Sequence, residues 1–165
     1  MPESSSVVNV VVAGLGGQGV LKASGILADA AFRAGLDVKK SEIHGMSQRG
    51  GSVSSDARFG DRVFSPMVPA GEADFLVVLA ASQIEVARPA LKAGGVLVHP
   101  GLVDETRLAN KRSLNVALLG ALSVFLNLPE KEWLAAIRAN LPEKVHAMNL
   151  DAFQKGRQAA ARLRR

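Results

Sequence analysis

Between residues 7 and 35 an apolar run, a glycine-rich turn and an amphipathic stretch follow one another without interruption, which leaves few folds open to the chain. Residues 7–13 (VVNVVVA) are apolar except for Asn9. Such an unbroken, β-branched run suits a strand buried on both faces of a parallel sheet. It ends in Gly14-Leu15-Gly16-Gly17-Gln18-Gly19, a G-x-G-x-x-G match. Val20, Leu21, Ser24, Leu27, Ala28 and Ala31 then recur at helical spacing up to Gly35, a C-terminal stop. Strand, glycine turn and helix therefore open an α/β fold.

The same alternation continues. Residues 36–40 read as a second strand, and 41–51 (SEIHGMSQRGG) as a structured polar loop. Residues 52–59 alternate weakly; Gly60-Asp61 is a turn signal, and 62–65 are expected to return as the second arm of a hairpin. Residues 73–80 (ADFLVVLA) form another apolar strand, followed by a helix with Ser82 as N-cap and Glu85 at the capping-box position. Gly94-Gly95 introduces a third buried strand at 96–99. Residues 115–126 (NVALLGALSVFL) are apolar almost all round, so this helix is either wholly internal or covered by a partner. Pro129 opens a helix with Trp133, Leu134 and Ile137 on its inner face, Leu141-Pro142 ends it, and a last helix runs over about 150–162. The expected architecture is a Rossmann-like, three-layer α/β/α domain with a mostly parallel sheet and a β-hairpin inserted after the second strand. It spans residues 1–165 as one domain, with 1–6 and 163–165 as flexible ends.

Composition narrows the function classes. At 165 residues and 48% hydrophobic content the chain can bury one sizeable core. It has no cysteine, which excludes disulfides, thiolate-bound zinc and cysteine-held iron–sulfur clusters from its own chemistry. Nothing points to a metal site. Residues 1–6 are polar and no apolar run reaches the roughly 18 residues of a membrane span, so a cytoplasmic, non-membrane protein is expected. The net charge of +5 is spread over the chain, apart from Lys39-Lys40, Lys111-Arg112 and the C-terminal arginines. With 4% aromatic residues there is little to stack on bases, and nucleic acid is not an expected partner.

Two segments carry chemistry. In the glycine turn, Gly14 permits the sharp bend, Gly16 and Gly17 let a ligand approach backbone, and Gly19 allows close packing of helix on strand. The helix N-terminus beyond Gln18 and Gly19 presents unpaired N–H groups to an anion. Bound NAD(P), another anion or nucleotide, and a purely structural turn all remain open, because the second strand ends in Lys39-Lys40 where a ribose-binding carboxylate would stand. The second segment gathers Glu42, His44, Ser47, Gln48 and Arg49, flanked by Gly50 and Gly51. Arg49 could hold a carboxylate or phosphate in a bidentate fork, and Glu42 could orient His44 for proton transfer; equally, these side chains could satisfy one another and stabilise the loop.

Together GLGGQGVLKASGILADAA (14–31), KKSEIHGMSQRGGSVSSDARFG (39–60) and SPMVPAGEADFLVVL (65–79) resemble the γ domain of the 2-oxoacid:ferredoxin oxidoreductases, as do Asn115, Gly120, Asn149, Phe153 and Gly156. The loop form is most similar to that of the small subunit in indolepyruvate enzymes. The resemblance implies a γ-type subunit, inactive alone, of a complex that oxidatively decarboxylates a 2-oxoacid, forms acyl-coenzyme A and reduces ferredoxin. It further implies that thiamine diphosphate and iron–sulfur clusters reside on larger partner subunits, and that Ser47, Gln48 and Arg49 face ligand or partner. A homodimer is expected where the partner is missing. The competing expectation is a stand-alone Rossmann-like reductase or nucleotide sensor.

Overall fold

The computed structural model describes residues 7–44 and 51–163. Its centre is β1 (Val8–Leu15), the valine-rich run, with alternate side chains sent to opposite faces of the sheet. On one side β1 pairs in parallel with β4 (Ala73–Val78), and β4 with β5 (Leu91–Val98). On its other side β1 pairs antiparallel with β3 (Ser52–Gly60), which pairs antiparallel with β2 (Asp37–His44). The strand order is β2-β3-β1-β4-β5.

This order corrects two expectations. The sheet is α/β in class but mixed, with two parallel and two antiparallel pairings. The hairpin is formed by β2 and β3 and inserts β3 into the sheet beside β1. Both edges of β3 are thus occupied, and residues 62–65 have no edge to return on. Side chains hold the chain there instead: Val63 N donates to Asp37 Oδ2 at 2.8 Å, the Arg58 guanidinium to Ser65 O at 2.8 Å, and Val68 N to Asp56 Oδ2 at 2.9 Å. The second strand is also longer than its apolar pattern, because an edge strand with one solvated face needs few hydrophobic residues.

The two faces of the sheet are covered unequally. α1 (Val20–Arg33), α3 (Leu114–Ser123), α4 (Glu130–Asn140) and α5 (His146–Leu163) share one core with Val10, Val12, Phe59, Val77 and Val98. The opposite face presents Val11, Ala13, Leu76 and Val78, met by Ile84, Ala87, Ala90 and Val68. Here the second helical layer shrinks to α2 (Ile84–Ala87) between two 3-10 turns, Ala81–Gln83 and Arg88–Ala90. Ser82 falls inside the first turn rather than at an N-cap, and Glu85 pairs with Arg88 at 3.1 Å instead of closing a capping box.

α1 stops as its sequence requires: Gly35 N donates to Phe32 O and Leu36 N to Ala31 O, the paired bonds of a Schellman motif. α3 is internal to the chain itself, with Asn115 through Ser123 all buried. It lies against α5 at backbone distance, since a Cβ on Gly120 would overlap the Phe153 carbonyl and one on Gly156 the Ala117 carbonyl. Trp133 of α4 packs its ring 5.6 Å from that of Phe153. α5 begins four residues before its apolar pattern does, where His146 Nε2 meets Leu141 O at 2.7 Å, and Leu163 is its last residue.

Candidate functional site

Crossovers leave β1 and β4 on opposite faces of the sheet: α1 follows β1 onto the helix-rich face, α2 follows β4 onto the other. The carboxyl ends of these neighbouring strands therefore form a topological switch point, the place where open α/β sheets leave a crevice for ligands. The glycine turn lies there. A Cβ on Gly14 would meet Gln18 Oε1 at 2.9 Å, Val20 Cγ2 at 3.0 Å and Leu79 Cβ at 3.1 Å, so strand, turn and helix close to a distance that a larger residue would prevent. Gly17 and Gly19 adopt φ of +84° and +83°, the left-handed region. Leu15 N donates to Gln18 Oε1 at 2.7 Å, and Gly16 N to Gly51 O at 3.0 Å.

α1 starts at Gly19 with no side-chain cap and no acidic residue in its first turn, so no carboxylate of its own offsets the positive end of its dipole. Asn115 locks this start against α3: its Nδ2 donates to Gly19 O at 3.3 Å, while its Oδ1 accepts from Val116 N at 2.9 Å. A cleft of about 460 Å³ opens beside the turn, lined by Gly17, Gln18 and Gly19 from one side and by Lys111, Arg112 and Asn115 from the other. The two cations stand on a 3-10 turn, Lys111–Ser113, capped by Asn110 Oδ1 accepting from Arg112 N at 2.9 Å. Helix N-terminus, left-handed glycines and two cations make a cleft suited to a phosphate-bearing anion.

Lys111 and Arg112 escaped the sequence reading as site residues. In the sequence they are one basic pair among several, and the only local signal is the Asn110 cap ahead of an apolar helix. Of the expected residues, Gly17, Gln18 and Gly19 line the cleft, whereas Gly14 packs against Gln18, Val20 and Leu79 and Gly16 bonds to Gly51; Gln18 turns its carbonyl oxygen inward to Leu15.

The second segment joins the first only at its ends. Glu42 and His44 belong to β2 rather than to a loop, with His44 opposite Val53 in the register. The Glu42 carboxylate pairs with Lys40 Nζ at 3.0 Å. Gly51 accepts from the glycine turn, and Ser52 Oγ donates to Gln83 Oε1 at 2.6 Å. His44 and Gly51 thus both stand at the end of the sheet where the glycine turn lies. Ser47, Gln48, Arg49 and Gly50, as well as residues 1–6 and 164–165, lie outside the described residues.

On the less covered face a second groove, of about 360 Å³, runs between the β2–β3 hairpin and α2. Asp56 lines it and is buried. Burial pushes its carboxyl above the usual carboxylate range, against the smaller opposing effects of the Val68 N–H and the Arg58 guanidinium. Among the described residues there is no group of three or more His, Cys, Asp or Glu side chains that could hold a metal ion. His99 Nδ1 accepts from Gly101 N at 3.2 Å, a local turn contact. No helix among the described residues is long and apolar enough to cross a membrane.

Residues 9–159 match the family model for pyruvate ferredoxin/flavodoxin oxidoreductase. The chain belongs to that family. Within the pyruvate ferredoxin/flavodoxin oxidoreductases it is 36% identical to indolepyruvate oxidoreductase subunit IorB of Thermococcus kodakarensis, over 92% of this chain and 95% of the relative. It is 33% identical to the IorB subunit of Pyrococcus horikoshii, again over 92% and 95%. Solved structures share the fold. The keto/oxoacid ferredoxin oxidoreductase γ subunit of Geobacter sulfurreducens superposes with a TM-score of 0.83 at 23% identity, covering 96% of this chain and 98% of that one. The 2-oxoglutarate:ferredoxin oxidoreductase of Magnetococcus marinus, a structure with 2-oxoglutarate, coenzyme A and succinyl-CoA bound, gives 0.83 at 24% identity, covering 97% of this chain. This chain spans about a third of that longer polypeptide, 32%.

Proposed function

We propose that this chain is the small, γ-type subunit of an indolepyruvate:ferredoxin oxidoreductase, inactive alone, and that its glycine cleft forms one side of the coenzyme A site. The activity reading rests on family membership and on relatives named IorB that match over nearly their whole length. What this chain contributes rests on one observation: Lys111 and Arg112 converge on the uncapped start of α1 and the glycine turn. Two cations and a helix dipole stabilise phosphate groups, which coenzyme A carries at the end remote from its thiol.

The chain's role in turnover is then to bind and orient. Phosphates held at Gly17–Gly19 and Lys111–Arg112 anchor the cosubstrate. Thiamine diphosphate, on a larger subunit, supplies the carbanion-stabilising chemistry of decarboxylation, and iron–sulfur clusters carry the electrons to ferredoxin from a cysteine-bearing subunit, since this chain has no cysteine to hold them. A dinucleotide reading is disfavoured by topology. β3 separates β1 from β2, so the end of β2 stands two strand spacings, roughly 10 Å, from the turn.

The test is Lys111→Glu/Arg112→Glu in the complex reconstituted from purified subunits. Charge-assisted hydrogen bonds contribute about 1.5–3 kcal/mol each, so with both cations replaced KM for coenzyme A is expected to rise at least roughly 100-fold, with KM for the 2-oxoacid unchanged. An unaltered KM for coenzyme A would refute the cleft's role. Full activity of the isolated chain would refute the subunit reading.

A further inference from the structure

The face of the sheet away from α1, α3, α4 and α5 leaves a groove floored by Val11 and Ala13 and flanked by Ile43 and Val86. Ile43 is 46% and Val86 63% exposed, and the segment bordering the groove carries Phe64 at 84% and Met67 at 55%. Ile43 and Val86 are two of the six large apolar side chains that the described residues leave exposed, and Phe64 and Met67, two more, stand on the segment that runs into Val68, Pro69 and Ala70 of the groove wall. Concentration of this kind marks an interaction surface.

Charge identifies what covers it. The chain carries +5 overall, yet among the described residues Asp56 is the single charged side chain lining the groove. One of its oxygens accepts from Val68 N; a carboxylate takes several donors, and covering it further without one is costly. The complementary surface is therefore apolar with one arginine, lysine or amide donor that reaches Asp56. A second copy fits poorly, because a two-fold contact through this groove would set Asp56 against Asp56 with no cation among the described lining residues between them. An acidic surface fits poorly for the same reason. In the Magnetococcus 2-oxoglutarate enzyme and in the ketoisovalerate subunit VorA of Methanothermobacter thermautotrophicus, this chain aligns with only 32% and 35% of a longer polypeptide, so further chain is covalently joined to this region.

We propose that the groove between the β2–β3 hairpin and α2 is where the larger subunit of the complex docks, with apolar side chains over Ile43 and Val86 and a donor at Asp56. This rests on the reading of the chain as a subunit. The experiment is capture of this chain by a tagged, co-expressed larger subunit, with Ile43→Glu, Val86→Glu and Asp56→Asn compared against Phe32→Glu. Phe32 is 70% exposed but lies on α1, across the sheet from the groove. Urea midpoints of each variant show that it is folded. The expected result is a loss of affinity of at least about tenfold for each groove variant, the order of an interface hot spot, with Phe32→Glu unchanged. Wild-type affinity of the groove variants, or an equal loss with Phe32→Glu, overturns the proposal while leaving the subunit reading intact. So does a change in self-association of the free chain by sedimentation without any change in capture. Failure of the wild-type chain to be captured at all overturns both.

Discussion

Gly17→Ala and Gly19→Ala form a matched pair at the candidate site, because both glycines hold nearly the same left-handed φ but only one is crowded. A Cβ at Gly17 meets nothing within 4 Å, whereas at Gly19 it would stand 2.5 Å from Asn115 Nδ2 and 3.3 Å from Asn115 Cγ. The left-handed conformation alone costs an alanine roughly 1–2 kcal/mol. At Gly19 the methyl group also displaces a buried amide from its bond to Gly19 O, and a buried polar group left unpaired costs a further ~1–3 kcal/mol. Urea unfolding at neutral pH should therefore give ~1–2 kcal/mol of destabilisation for Gly17→Ala and ~2–5 kcal/mol for Gly19→Ala. The cause of the difference can be isolated in a double-mutant cycle. In an Asn115→Ala background the Gly19→Ala penalty should shrink by about 1 kcal/mol or more, since the crowding atom has gone. Equal penalties at the two glycines, or no coupling to Asn115, would refute the claim that Asn115 fixes the start of α1.

Two further outcomes are expected. Gly156→Ala should destabilise the fold by at least ~3 kcal/mol, beyond ordinary overpacking, because its methyl group meets the Ala117 backbone carbonyl rather than a side chain that can turn away; a urea midpoint near that of wild type would show that α3 and α5 can separate freely. Asp56 has a folded-state pKa above its unfolded value, so the folded chain holds its proton more tightly, and stability falls as pH rises from about 4 through the folded-state value, then stays level. Asp56→Asn keeps an acceptor for Val68 N and removes this loss, so its stability relative to wild type should rise between pH 4 and pH 7; a difference independent of pH would refute the assignment.

Local patterns carried much of the reading. The strand–turn–helix unit, the placement of Gly14 to Gly19 and the start of α4 at Pro129 depend on residues close in sequence, whose conformational preferences act without knowledge of the rest of the chain. The family resemblance was legible for the same reason, since its motifs are contiguous. Less was legible where strands are polar. Residues 41–44 read as loop because an edge strand with a solvated face shows no apolar period, and the pairing of Glu42 with Lys40 along that strand was not legible for the same reason.

The amino-acid sequence by itself determined that an α/β unit opening on a strand, a glycine turn and a helix would form, and that no cluster could be held by this chain's own thiolates. Tertiary structure decided where β3 goes, which face of the sheet stays uncovered, and which cations reach the turn. Strand pairing is a competition among edges distant in the chain, and backbone hydrogen bonds are nearly the same for every sequence, so no local pattern names the winner. For the same reason Lys111 and Arg112 came to line the cleft through the packing of α3 against the start of α1, a contact spanning 96 residues that only the assembled core brings about.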